Sequence, residues 1–122
     1  MSDFNKPGDV FLADCPARLA VEIIADKWSV VVIYALSKGP RRHGELVELI
    51  GGISRKMLTQ TLRRLAGHGL VDRRAYAEVP PRVEYRLTAL GTTLIPAIEL
   101  LTSWAEHNGT AILDAVEAGL PA

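Results

Sequence analysis

The chain has 122 residues and one cysteine, Cys15, so it cannot close an intrachain disulfide or supply a thiolate cluster to a metal. Nor does it have a long apolar run. The longest, VVVIYAL from Val30 to Leu36, has seven residues, whereas a bilayer span needs about 20. No basic segment precedes an apolar stretch in the opening MSDFNKPGDVFL, so no secretory signal is read and the cytoplasm is the expected compartment. There is no phosphate-binding loop, no nucleophile–base pair at a recognisable spacing and no carboxylate cluster, which argues against an enzyme and against a bound cofactor. His43, His68 and His107 are too far apart in sequence to suggest a metal site. Aromatic residues make up only 6% of the chain, too few for the base-stacking surfaces common in RNA binders. From Ala89 onward there is no lysine or arginine at all.

That last absence points to what is present. Net charge is zero, but it is segregated: Arg41 to Arg86 holds ten Lys/Arg and five Asp/Glu, a net of +5, and the rest of the chain balances it at −5. An anionic partner for the middle segment is therefore compatible with overall neutrality, because local field steers association. The length fits one domain, with residues 1–13 as an arm and 14–122 as the domain. A first helix is expected from DCPARLAVEIIA, with Asp14 or Cys15 near its N-cap, Pro16 in its first turn and an apolar stripe of Leu19, Ile23 and Ile24. A second, apolar on most sides, runs from about Lys27 to Ser37 with Asp26 as N-cap. A short helix over 42–49 turns Leu46, Leu49 and Ile50 inward. A Gly51-Gly52 corner and a Ser54 cap then introduce a helix over about 54–68, closed by Gly69. Two strand-like runs over about 70–87 flank AEVPP, where Pro80 and Pro81 mark a loop. In the second run Val83, Tyr85 and Leu87 alternate with Arg82, Glu84 and Arg86, the pattern of a half-buried strand. A long helix over about 89–120 follows, with Pro96 as a kink or an internal boundary. The fold class is mainly α with a small β-hairpin, in the order of a winged helix-turn-helix.

On the helix that begins at Arg55, Leu58, Leu62 and Leu65 form a core stripe. The opposite side collects Arg55, Lys56, Thr59, Gln60, Arg63 and Arg64, with Ser54 at its start and no acid among them. Such a rod fits lengthwise in a DNA major groove about 12 Å wide. Arginine and lysine neutralise phosphate or reach guanine, glutamine pairs with adenine, and a threonine methyl meets a thymine methyl. The first turns of a recognition helix usually reach bases. Arg55, Lys56, Thr59 and Gln60 are accordingly assigned to the groove, and Arg63 and Arg64 mainly to phosphates. A solvated basic face is the competing reading. Arg82, beside two prolines at the hairpin tip, is a candidate for the minor groove or for simple phosphate contact. Arg73 and Arg74 alternate on their strand, so at most one faces DNA.

The segments DCPARLAVEIIADKWSVVVIYAL, RRHGELVELIGGISRKMLTQTLRRLAGHGLVDRR and VPPRVEYRLTALG together resemble the HxlR-type family of bacterial winged-helix transcriptional regulators, over about Cys15 to Trp104. The resemblance implies a homodimer, built from the N- and C-terminal helices, on a near-palindromic double-stranded operator. Surplus apolar residues over 89–120 fit such an interface independently, and a thick internal core is the alternative. The family often carries a cysteine before its first helix, which in several members senses oxidants or electrophiles, and Cys15 matches that position. A helix start favours a thiolate and the neighbouring Asp14 disfavours it; a small buried packing residue is the plainer role for Cys15. A sensor with one cysteine must form an adduct or an intersubunit disulfide. A non-covalent ligand is the remaining kind of inducer. His43 stands where the family usually has Phe or Tyr, and a ring packing at the helix start is the expected role. A winged-helix module for protein or RNA, without operator binding, is the alternative function.

Overall fold

The computed structural model describes residues 10–119. The first nine residues of the expected arm and the last three of the chain lie outside the described residues. The elements run α1 (Pro16–Ile24), α2 (Lys27–Leu36), α3 (His43–Leu49), α4 (Arg55–Gly67), β1 (Val71–Tyr76), β2 (Arg82–Leu87), α5 (Ala89–Thr92) and α6 (Ile95–Glu117).

Local chemistry sets most of these boundaries. Cys15 is the N-cap of α1 and Pro16 occupies its first turn, where a missing N–H leaves nothing unpaired. The Asp26 carboxylate accepts from the backbone N–H groups of Trp28 and Ser29, both at 3.2 Å, and so starts α2. Glu45 reaches back to accept from the Arg42 N–H at 2.8 Å at the head of α3. Ser54 Oγ accepts from Met57 N–H at 3.0 Å at the head of α4. Gly69, at φ +77°, lets the chain leave α4 and enter β1. The expected C-terminal helix is divided: α5 is one short turn capped by Thr88, and α6 restarts at Ile95 with Pro96 in its first turn. Pro96 is therefore a boundary and not a kink. Gly91 in α5 is buried, and a Cβ there would run into the Leu70 carbonyl oxygen, so no larger residue fits without movement.

Helix α2 is the hub, lying against α1, α3, α4, β2 and α6. Its Val32, Ile33, Ala35 and Leu36 join Leu46 and Ile50, Leu58, Leu62 and Leu65 of α4, Val71 and Ile98 in one core. Two expected core positions are outside it. Leu19 is 57% exposed on α1 and Leu49 is 53% exposed on α3, because neither helix has a neighbour covering that side among the described residues. The strands pair antiparallel from Val71 opposite Leu87 to Tyr76 opposite Arg82. Arg41 adds a rung that joins the start of α3 to the hairpin: its N–H donates to the Tyr85 carbonyl at 3.0 Å and its carbonyl accepts from Tyr85 at 2.8 Å. The polarity of β2 alternates as expected but its burial does not, since all six residues are half-buried. The polar side is covered by its own cross-strand partners, where Tyr76 faces Arg82, Arg74 faces Glu84 and Asp72 faces Arg86.

Candidate nucleic-acid interface

Helix α4 is held from behind by three fully or almost fully buried leucines, Leu58, Leu62 and Leu65. Replacing any one of them with alanine costs about 2–5 kcal/mol. An exposed ion pair contributes at most about 1 kcal/mol, so packing, and not charge, fixes the pose of this helix. Its thirteen residues make a rod of about 20 Å. On the outer side Arg55, Lys56, Gln60 and Arg63 are exposed. Their side chains make no hydrogen bond or ion pair with any described residue. Their donors are available to an incoming partner.

The other nominated residues are engaged. Ser54 is exposed but its oxygen caps α4. Thr59 is half-buried: its hydroxyl donates to the Arg55 carbonyl at 3.0 Å and lies 3.0 Å from His43 Nε2. His43 thus does more than pack as a ring at the start of α3; it ties that helix to the middle of the outer face of α4. Arg64 differs most from expectation. Its Nη2 donates to Asp26 Oδ2 at 2.8 Å, the oxygen that also caps α2. Arg64 is turned towards α2, away from the acid-free face.

The hairpin is also more self-contained than its composition suggests. Arg82 Nη2 donates to Glu78 at 2.9 Å, its Nη1 approaches Glu84 at 3.4 Å, and the guanidinium lies 4.0 Å over the Tyr76 ring. Arg86 Nη2 donates to the Tyr76 hydroxyl at 3.0 Å. In this conformation Arg82 is folded back along the wing, and Val79 in the loop is fully exposed. Arg73, undecided from sequence, is exposed on the strand side shared with Tyr85. With Arg63, Thr59, Ala66 and Tyr85 it lines a groove of about 260 Å³ between α4 and the hairpin. Sequence reasoning left Arg73 open because strand alternation says that two neighbours diverge, but not which one meets the helix.

An uncommitted basic face on a helix anchored behind a glycine corner, followed by a hairpin, is the arrangement of a helix-turn-helix regulator. The family comparison decides it: the description HxlR-like helix-turn-helix matches residues 23–112. The chain belongs to this family. HxlR-like relatives include the uncharacterized HTH-type transcriptional regulator YtfH of Escherichia coli (strain K12), 39% identical over 93% of this chain and 90% of that protein. Among solved structures, the oxidized form of the redox regulator HypR is 37% identical with a TM-score of 0.73, covering 77% of this chain and 97% of that one. The reduced form of the transcriptional regulator YodB from Bacillus subtilis is 34% identical with a TM-score of 0.69, covering 75% and 91%. This HxlR-like chain is accordingly a transcriptional regulator of helix-turn-helix type, mainly helical with a two-stranded wing, and not an enzyme. Among the described residues no helix is long and apolar enough to cross a membrane.

Proposed function

We propose that the protein is a cytoplasmic homodimer that binds near-palindromic double-stranded DNA and regulates transcription from it. The observation that carries the reading is the outer face of α4, where Arg55, Lys56, Gln60 and Arg63 stand exposed and unengaged. In this reading Arg55, Lys56 and Gln60 reach base edges in the major groove, and Thr59 offers its methyl from a position set by His43. Ser54, Arg63 and Arg73 meet phosphates. Arg64 orients α4 through Asp26, and Arg82 reaches the minor groove only by leaving Glu78 and Glu84.

Dimerisation through the terminal helices is supported by their exposed apolar residues. On α1 these are Leu19 and Val21; on α6 they are Leu100, Leu101, Trp104, Ile112, Leu113 and Val116. So much apolar side chain on one short chain is what an interface between copies covers. Two α4 helices in such a dimer would enter adjacent major grooves about one helical turn apart.

Cys15 is the proposed redox element, on the strength of its place at the α1 N-cap and of the likeness to a redox regulator. It is buried at 6% exposure, so oxidation requires the start of α1 to open and yields an adduct or an intersubunit disulfide. The test is binding to the DNA upstream of the protein's own gene, reduced and then with a mild thiol oxidant. The expected result is tight, salt-sensitive binding that changes on oxidation and no longer changes in Cys15→Ser. Indifference to oxidant would reduce Cys15 to packing and leave a non-covalent ligand as the inducer. Absence of any duplex binding, here and on randomised DNA, would favour a winged-helix module for protein or RNA.

A further inference from the structure

Away from the α4 face, a cleft of about 390 Å³ opens between α2 and α3. Trp28, Val31 and Tyr34 of α2 and the Gly51 corner form much of its wall, with Lys38 and Arg41 also lining it. No acidic side chain lines it. One of these cations lies over a ring of the wall: Lys38 Nζ is 5.3 Å from the Tyr34 ring centroid. Arg41 is held in place by its Nε, which donates to the Ala35 carbonyl at 3.1 Å, and its two terminal nitrogens have no partner among the described residues.

An apolar, aromatic-walled cleft with positive charge and no negative charge suits a ligand with the converse layout: a flat apolar body and one anionic end. Small-molecule sites span about 300–1,000 Å³, so this volume takes a ligand of one or two rings. We propose that the cleft between α2 and α3 binds a small aromatic carboxylate. Its ring lies against Trp28, Val31 and Tyr34, and its carboxylate meets Lys38 and the free end of Arg41. A neutral ligand would leave the cations unused, and a phosphorylated or sugar-like one would leave the apolar wall without a partner.

The cleft also adjoins the corner that sets α4. Gly51 lines it, and a Cβ built on Gly52 would lie 3.9 Å from the Trp28 ring. A ligand seated there presses on the connection between α3 and α4. That regulatory consequence rests on the DNA reading above, whereas the binding itself does not, so the test uses no DNA.

The 15N-labelled full chain is titrated with 2-naphthoate, and backbone amide shifts are followed by NMR. Saturable shifts are expected to cluster at Trp28, Val31, Lys38 and Leu49–Gly51. Replacing the carboxylate with an alcohol, as 2-naphthalenemethanol, should weaken binding at least fivefold, and Lys38→Gln should weaken 2-naphthoate by a similar factor. Shifts that do not saturate, or that cluster on α1 and α6, would overturn the site. Equal affinity for the acid and the alcohol, or no effect of Lys38→Gln, would overturn the carboxylate assignment.

Discussion

Helix α4 and the hairpin are both rich in arginine, yet they use it differently. On the outer face of α4 the cations have no internal partner; on β2 of the hairpin they are held by the protein itself, while Arg73 and Arg74 of β1 stay exposed. Arg82 is shared among Glu78, Glu84 and Tyr76, and Arg86 is held by the Tyr76 hydroxyl. The difference follows from which acids are near. The α4 face has none, whereas Glu78 in the loop and Glu84 on the same strand lie within reach of Arg82. Counting charges in a segment therefore overstates what it offers a partner. What matters is how many remain after the protein's own contacts are subtracted.

Substitutions on α4 carry the largest expected effects. Arg55→Ala and Gln60→Ala should each cost the specific site about 1–3 kcal/mol, the value of one bidentate base contact, and random duplex much less. Competition binding checks this, and equal losses on both would dissolve the base-reading role. Arg63→Ala should weaken all duplexes alike and reduce the slope of log affinity against log salt by about one. Arg64→Ala should behave differently from its neighbour. Both members of its pair with Asp26 are about 40% exposed, so solvent screening limits the stability loss to under about 1 kcal/mol, read as a small fall in Tm with the salt slope nearly unchanged. A slope reduced as far as in Arg63→Ala would return Arg64 to the phosphates. The smallest effect is expected on the wing, where Arg82→Ala should alter affinity by less than about threefold, because desolvated internal contacts must first be given up. A loss as large as that of Arg55→Ala would mean that the wing unclasps on DNA.

The parts of the fold legible in sequence were those determined within a few residues. Asp26, Ser54 and Thr88 start helices and Gly69 closes one, through contacts no more than about one turn away, and the leucine stripe of α4 is a matter of helical period. The exposure of the candidate site is legible only where its side chains have no partners. Arg55, Lys56, Gln60 and Arg63 stand where the helical wheel puts them. Arg64 sits on the same wheel but meets an aspartate 38 positions earlier in the chain, and no local pattern carries that information. The same holds for His43 with Thr59 and for the rung from Arg41 to Tyr85. Sequence alone places Leu19 and Leu49 inside because hydrophobicity marks what prefers to be covered, without saying whether the covering surface belongs to the same chain.

The central claim is that two copies of the α4 face read DNA together. Selection of binding sites from a randomised duplex library, followed by sequencing, tests it without knowledge of the operator. Enrichment is expected of inverted repeats whose half-sites are centred about 10–10.5 base pairs apart or a multiple of that, with loss of the enrichment in Arg55→Ala. A library that returns no repeated element, or the same repeat with the Arg55→Ala protein, would contradict it.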